Sequence, residues 1–459
     1  MKFIQTPVKG MQDFLPADMA LRQFVLGIIR DTYGKYGFTE IGTPAMEHIE
    51  NLTGKNGGEN EKLIFKVLKR GRELDKGFKS VREMQEKAGE DAPFSSELAG
   101  TELSDSALRY DLTVPLCRYY SCHKNELPSP FKALQIGSVF RADRPQKGRF
   151  RQFTQCDIDI IGDNSVMAEI ELIAATCSAL CAIFEKAGIR GFTVHVNDRR
   201  ILKAMASSAG FAPEQFDEVF ITLDKMDKIG LEGVKEELLK AGFDAAAVEK
   251  YTGFYAKFRE GAAGEADGRD DGQGQAAPVA DVNSFISATC ADTLEEGVAS
   301  DLDNIMESVR AMVDPDVSLM FDPTLVRGMS YYTGTIFEVS IDNYSFSIAG
   351  GGRYDKMVGR FCGQDAPACG FSIGFERIVT ILRDLGFTAP ETGAKKAYLV
   401  DVKSAKARLS EVFGLAAKER AEGAMVVVQP LRKNAKFQVE MLEKSGYTDI
   451  RKVYGDTEL

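Results

Sequence analysis

Arginines and carboxylates are the residues best equipped to do chemistry here, and they gather in three separated segments. The first, Val139 to Gly162 (VFRADRPQKGRFRQFTQCDIDIIG), sets Arg141, Arg144, Lys147, Arg149 and Arg151 in a loop between two apolar stretches. Guanidinium forks match phosphate oxygens and stay charged, so a cationic loop carried by a strand hairpin suits a polyphosphate. The strand that follows alternates Asp157 and Asp159 with Ile158 and Ile160. A period of two sends the isoleucines to a core and lines the other face with carboxylates. The second segment, Leu325 to Glu338 (LVRGMSYYTGTIFE), supplies Arg327 and a tyrosine pair, and the third, Gly370 to Leu382 (GFSIGFERIVTIL), supplies Arg377. Together they can surround a triphosphate without a glycine-rich phosphate loop, and no GxxxxGK[ST] run is present. Taken singly, each arginine reads as readily as one half of a surface salt bridge.

Elements far apart in the chain must bring these segments together. At 459 residues the chain exceeds one hydrophobic core, which predicts two to three domains. Its 44% hydrophobic and 27% charged residues are those of an ordinary globular protein. A net charge of −11 argues against nonspecific coating of nucleic acid but leaves room for a local basic surface. The eight cysteines are scattered without paired metal-ligand spacing and only three histidines accompany them, so reduced structural thiols in a cytosol are expected and a zinc site is not. No apolar run is read as reaching bilayer-spanning length, and MKFIQTPVKG has no signal-peptide core.

Helical periodicity runs over 17–37, and FTEIGTP follows as a strand stopped by Pro44. Residues 69–106 read as a charged, irregular, exposed excursion. A second strong helix covers 165–187, and FTVHVN (192–197) alternates like a strand. From 200 to about 315 the pattern is helical and polar, interrupted near 260–281 by a Gly/Ala/Asp-rich stretch expected to be disordered. Strands return at 331–341. After a linker at 391–395, strands and helices alternate to the end as a small parallel α/β module.

Seven motifs, in order, carry a resemblance to the class II aminoacyl-tRNA synthetases, and specifically to the histidyl-tRNA synthetase family. GMQDFLP (10–16) resembles the family's opening, GFTEIGTPAMEHIE (37–50) its dimer-forming motif 1, and LRYDLTVPLCRYY (108–120) its amino-acid-binding strand. RADRPQKGRFRQFTQCDIDIIG resembles motif 2, GFSIGFERI motif 3, and LVRGMSYYTGTIFE and AGGGRYD the two histidine signatures. The resemblance implies an α/β (α+β core) fold: a class II antiparallel sheet flanked by helices, a helical insertion, and a small C-terminal α/β module similar to an anticodon-binding domain. The expected division is a catalytic core over 1–199 and 315–390, the insertion over 200–314, and a shortened anticodon-binding-like domain over 396–459.

The resemblance also assigns roles. It places Arg141, Asp143, Arg149, Phe153 and Arg377 on ATP, with Arg141 on the α-phosphate and Phe153 stacked on adenine. Arg327 and Arg141 are implied as catalytic, Arg327 on the substrate carboxylate and α-phosphate. Histidine's α-amino group falls to Asp111, Thr113 and Gln155, and its ring to Asp159, Tyr331, Tyr332 and Tyr354. A carboxylate and a phenol match one N–H donor and one second ring nitrogen, which penalises other amino acids. The glycines 350–352 allow close backbone approach to the ligand. Arg144 and Gln146 are implied to touch the acceptor end of tRNA. The implied partners are ATP with Mg²⁺, L-histidine, the tRNA for histidine and a second copy of the chain, in the cytoplasm and away from membranes. Ser330 stands where the family usually has Asp, and Asp159 where it often has Glu. A non-catalytic relative, a regulatory subunit of ATP phosphoribosyltransferase, is the alternative. Such relatives typically lack the histidine signatures and the C-terminal domain.

Overall fold

Helix Pro16–Lys35 follows directly from its spacing: Leu21, Val25, Ile29 and Tyr33 fall four apart and are all buried. Proline at its first position costs no hydrogen bond, and Gly37, at φ 81°, turns the chain out. The computed structural model describes residues 3–53, 63–88, 102–145, 148–264, 282–327, 331–390 and 393–458. They divide into two compact units, 1–387 and 388–459.

Strands of the first unit are β1 (Thr39–Ile41), β2 (Met46–His48), β3 (Phe65–Leu68), β4 (Ser104–Leu108), β5 (Phe131–Phe140), β6 (Gln152–Ile161), β7 (Phe192–Asp198), β8 (Val317–Phe321), β9 (Thr335–Ser340), β10 (Ala349–Arg353) and β11 (Ala368–Ile373). Eight of them form one sheet in the order β1-β5-β6-β11-β10-β9-β7-β8. From β5 to β7 every pairing is antiparallel, as expected for this class. The edges correct that expectation, because β1 with β5 and β7 with β8 are parallel. Parallel neighbours need a long crossover, and here each is supplied: 42–130 for one edge, the helical run 199–310 for the other.

Three further expectations need correction. The excursion at 69–106 is not irregular: it holds helix Gly71–Ala88 and strand β4, which pairs with β2 and β3. Its buried stripe contains only Gly77 and Val81, too little apolar signal to read among the surrounding charges. LTVPLCRYY is a helix from Thr113 to His123, not a strand. Helix Met167–Lys186 does have the length and apolarity to cross a bilayer, but 67% of its apolar window is buried inside the protein. The helices of the insertion run from Arg199–Ala209 to Val298–Arg310. Of the stretch expected to be disordered, residues 265–281 lie outside the described residues.

The second unit alternates as its sequence suggests: β12 (Lys395–Val400), helix Leu409–Ala421, β13 (Met425–Pro430), helix Ala435–Lys444 and β14 (Asp449–Val453). All pairings are parallel, in the order β13-β12-β14. Tyr398 and Val400 of the central strand pack with Val412 and Ala416 on one face, and Ala397 and Leu399 pack with Leu442 on the other. Both faces of this sheet are therefore covered.

Candidate active site

Strand β6 is the spine of the site. Its period of two puts Gln155, Asp157 and Asp159 on one face. That face was expected to be carboxylate-lined, and it is, but β5 and β11 flank the strand and every residue from Cys156 to Ile161 is buried. The carboxylates thus face a pocket rather than solvent. Gln155, Asp157 and Asp159 line it with Asp111, Thr113, Arg327, Tyr331, Tyr332 and Tyr354. Tyr354 donates to Asp159 Oδ1 at 2.6 Å, and a Cβ on Gly370 would overlap that same oxygen. Asp111 accepts from the Val114 amide at 3.1 Å, at the start of helix Thr113–His123.

Four buried oxygens in this pocket have no hydrogen-bond partner: Asp111 Oδ2, Gln155 Oε1, Asp157 Oδ1 and Asp159 Oδ2. Each such orphan costs about 1–3 kcal/mol. All four are acceptors, so the pocket is complementary to a ligand rich in N–H donors and positive charge. Burial raises the three carboxyls: Asp111 to about 6, Asp159 to about 7, and Asp157 well above the usual range. Charge adds to this at Asp157, which faces Asp159 and Asp111, and at Asp159, which faces Asp111, whereas Arg141 and Arg109 oppose it at Asp111. A cationic ligand relieves the crowding.

The pocket opens onto a second cleft lined by Arg141, Asp143, Arg149, Phe153, Arg327 and Arg377, with Leu63 and Ser347. Arg141, Gln155, Arg327, Gly350 and Ser372 line both cavities and mark where two ligands would meet. Arg141 donates from Nε to the Tyr110 carbonyl at 3.0 Å, and its guanidinium lies 5.2 Å from the Phe153 ring centre. Arg377 donates to the Ser347 carbonyl and, at 3.0 Å, to Ser347 Oγ. Its pKa is lowered, by burial first and then by Arg149, with Arg327 and Arg141 adding to the effect. Four guanidiniums therefore converge on one cleft, and a polyanion is the ligand that offsets their repulsion.

Arg327 has a left-handed backbone, φ 57°, which is uncommon outside glycine. Its guanidinium pairs with Glu338 and lies where a Cβ on Gly350 would be, so a side chain there would push the guanidinium aside. Burial disfavours the Arg327 cation, but Glu338 outweighs that and the pKa is raised. Glu376, next to Arg377 in sequence, is held by both guanidinium nitrogens of Arg22 (2.6 and 2.8 Å) and by the Thr154 amide. It braces β6 against helix Pro16–Lys35.

All the residues expected on histidine line the first pocket, and all those expected on ATP line the second. Arg144 is exposed and lines neither. Gln146 and Ser330 lie outside the described residues. Asp157, Ser372, Ser347 and Glu338 belong to the cavities or their walls but were not singled out as site residues. Asp157 was legible, two residues before Asp159 on the same strand face. Ser372 opposes Asp157 across the β6–β11 register, a relation that only pairing reveals.

A profile of the histidyl-tRNA synthetase family matches residues 99–268 and 273–378. A histidine–tRNA ligase of Leifsonia xyli subsp. xyli is 40% identical over 453 residues, covering 98% of this chain and 96% of the relative. The chain belongs to the histidyl-tRNA synthetase family. The crystal structure of histidyl-tRNA synthetase from Nostoc sp. PCC 7120 is similar at a TM-score of 0.69 and 27% identity, over 97% of this chain and 90% of that one. An ATP phosphoribosyltransferase regulatory subunit/histidyl-tRNA synthetase from Bacillus halodurans, 19% identical with a TM-score of 0.72 over the full length of both chains, shares the fold.

Proposed function

We infer that the chain is a histidine–tRNA ligase: it joins histidine to ATP as histidyl-adenylate and transfers the histidyl group to the 3′ end of its tRNA. The observation that carries this is the meeting of the two cavities at Arg141 and Arg327. The carboxylate of a histidine seated in the first pocket would lie where the α-phosphate of an ATP in the second is held. Attack in line then forms the C–O–P linkage and expels pyrophosphate, and the protein contributes positioning and charge neutralisation. Asp111, Thr113 and Gln155 receive the α-ammonium. Asp159, with Tyr354 on its other oxygen, and the pair Tyr331 and Tyr332 select the imidazole. Arg141, Asp143 and Arg149 hold phosphates, and Arg377 and Phe153 enclose the base. Arg327 bridges the carboxylate and the α-phosphate and, with Arg141 on the α-phosphate, is catalytic.

Magnesium enters as the counter-ion of ATP. Among the described residues no group of three His, Cys, Asp or Glu could hold a metal, and Glu338 and Glu376 are each paired with an arginine. The nucleotide's own oxygens and water suit such an ion without a protein cage. Arg327, Tyr332, Arg141 and Arg377 all stand in the cavities, so the regulatory-subunit alternative is not better supported. Dimerisation through the motif 1 region accords with the exposed Met46 on β2. Eight free cysteines accord with a reducing cytoplasm. Residues 396–459 would aid tRNA binding, with Arg432 and Lys433 exposed just before helix Ala435–Lys444 and Lys436 and Lys444 exposed on it.

Histidine-dependent ATP–pyrophosphate exchange tests the reading: exchange with histidine and not with the other amino acids is expected, and none with histidine would overturn it. Arg144 and Gln146, in the motif 2 loop, are placed on the acceptor end, where the extra 5′ guanosine of this tRNA would be read. Removing that guanosine should lower charging, and Gln146→Ala should blunt the difference. Equal charging of both tRNAs by the unaltered enzyme would contradict the assignment.

A further inference from the structure

The segment Lys66 to Lys79 concentrates positive charge in an acidic chain. Lys66, Lys69, Arg70, Arg72, Lys76 and Lys79 stand against only Glu73 and Asp75. Lys76 is paired with Glu73. The other five cations have no carboxylate partner among the described residues, and all but Lys69 are exposed. The second half of the helix, which adds Arg82 and Lys87 against Glu83 and Glu86, is neutral. Unpaired cations so close together repel one another, and ordinary surfaces mix the signs. Phe78, 53% exposed, lies beside Lys79, and Leu68, 57% exposed, lies between Lys66 and Arg70. An aromatic ring among cations is what single-stranded or frayed RNA stacks on.

Its place in the fold ties this patch to the active site. Leu63 lines the arginine cleft and accepts a 2.8 Å hydrogen bond from the amide of Ala142, next to Arg141. The chain runs from that rim straight into β3, so Lys66 is at most about 10 Å away at roughly 3.3 Å per residue. Helix Gly71–Ala88 is anchored by Val81, which is buried, and by Gly77, where a Cβ would overlap the Glu102 carbonyl. The stripe Arg72–Lys76–Lys79 lies on the opposite, exposed face at helical spacing.

We propose that Lys66, Lys69, Arg70, Arg72 and Lys79 form a docking surface for the acceptor arm of tRNA. This rests on the tRNA-ligase reading above. A polyanion whose 3′ end must enter the cleft passes this rim. The patch neutralises backbone phosphates and carries no base specificity.

The test uses the full-length enzyme and a transcript of its tRNA. The triple variant Arg70→Gln, Arg72→Gln, Lys79→Gln should keep histidine-dependent pyrophosphate exchange. Its KM for tRNA should rise roughly tenfold or more near 0.1 M salt, and log KM against log salt should flatten by about two to three units of slope, for three lost phosphate contacts. Arg82→Gln with Lys87→Gln, in the neutral half, should change neither. Unchanged tRNA kinetics and salt slope in the triple variant, with exchange intact, would overturn the docking surface and leave the ligase reading standing. Loss of exchange in that variant would also overturn it, by making these residues supports of the cleft. Failure of the unaltered enzyme to exchange with histidine would remove the functional reading and this proposal with it.

Discussion

Arg327→Ala should lower adenylate formation by roughly 10²–10³-fold, the loss seen when one preorganised donor to developing charge is removed. The guanidinium lines both cavities, so it can touch carboxylate and α-phosphate at once. In the structure it pairs with Glu338, whose side chain is 31% exposed, and water can solvate that carboxylate when the arginine is gone. Alanine has the same Cβ as arginine and meets the left-handed backbone at residue 327 on equal terms. The fold should therefore survive, with a melting temperature near that of the unaltered protein. Arg327→Lys should restore little, because an ammonium is a point charge that cannot bridge two oxyanions as a planar fork does. Pyrophosphate exchange within a few-fold of the unaltered enzyme would take the catalytic role away from Arg327.

Asp159→Asn should raise the KM for histidine far more than that for ATP. Asp159 lines the first pocket only, and an amide keeps an acceptor for Tyr354 but loses the charge that would face an imidazole in the proposed site. Burial first, and then Asp111, raise the Asp159 carboxyl to about 7, against the hydrogen bond from Tyr354. The sign of the pH dependence follows. Above about 7 the empty pocket holds the anion, and as pH falls the carboxyl protonates and stops accepting at one oxygen. The KM for histidine should climb on the acid side of 7, and Asp159→Asn should flatten that climb.

Stability runs the other way. A carboxyl with a raised folded-state pKa contributes stability that is present in full below its unfolded value and lost as pH rises through the folded one. Without ligand, Asp159→Asn should melt above the unaltered protein at pH 8 and converge with it near pH 4. Equal increases in both Michaelis constants, or a pH profile unmoved by the substitution, would make Asp159 a structural residue.

Local pattern made much of this protein legible. Four-residue spacing of Leu21, Val25, Ile29 and Tyr33 announces a buried helix face wherever that helix lies. Strict alternation along β6 identifies the strand that carries Gln155 and Asp159. The C-terminal module declares itself by strands and helices at regular intervals. Helix Gly71–Ala88 escaped, because a glycine occupies its inner face and charges crowd the rest. The apolar helix Met167–Lys186 cannot reveal from its own residues whether lipid or protein will cover it, since both are equally dry.

Residue types and motif order by themselves determined that arginines, carboxylates and tyrosines from segments nearly two hundred residues apart would serve one reaction. Tertiary structure alone decided how they serve it. Strand register sets Asp157 opposite Ser372, and close approach over glycine lets Arg327 lie across Gly350. Burial of β6 on both faces turns ordinary aspartates into carboxyls raised well above their usual range, Asp159 to about 7. Pairing distance and desolvation depend on neighbours remote in the chain, and a sequence records the charges without recording how much water is left around them.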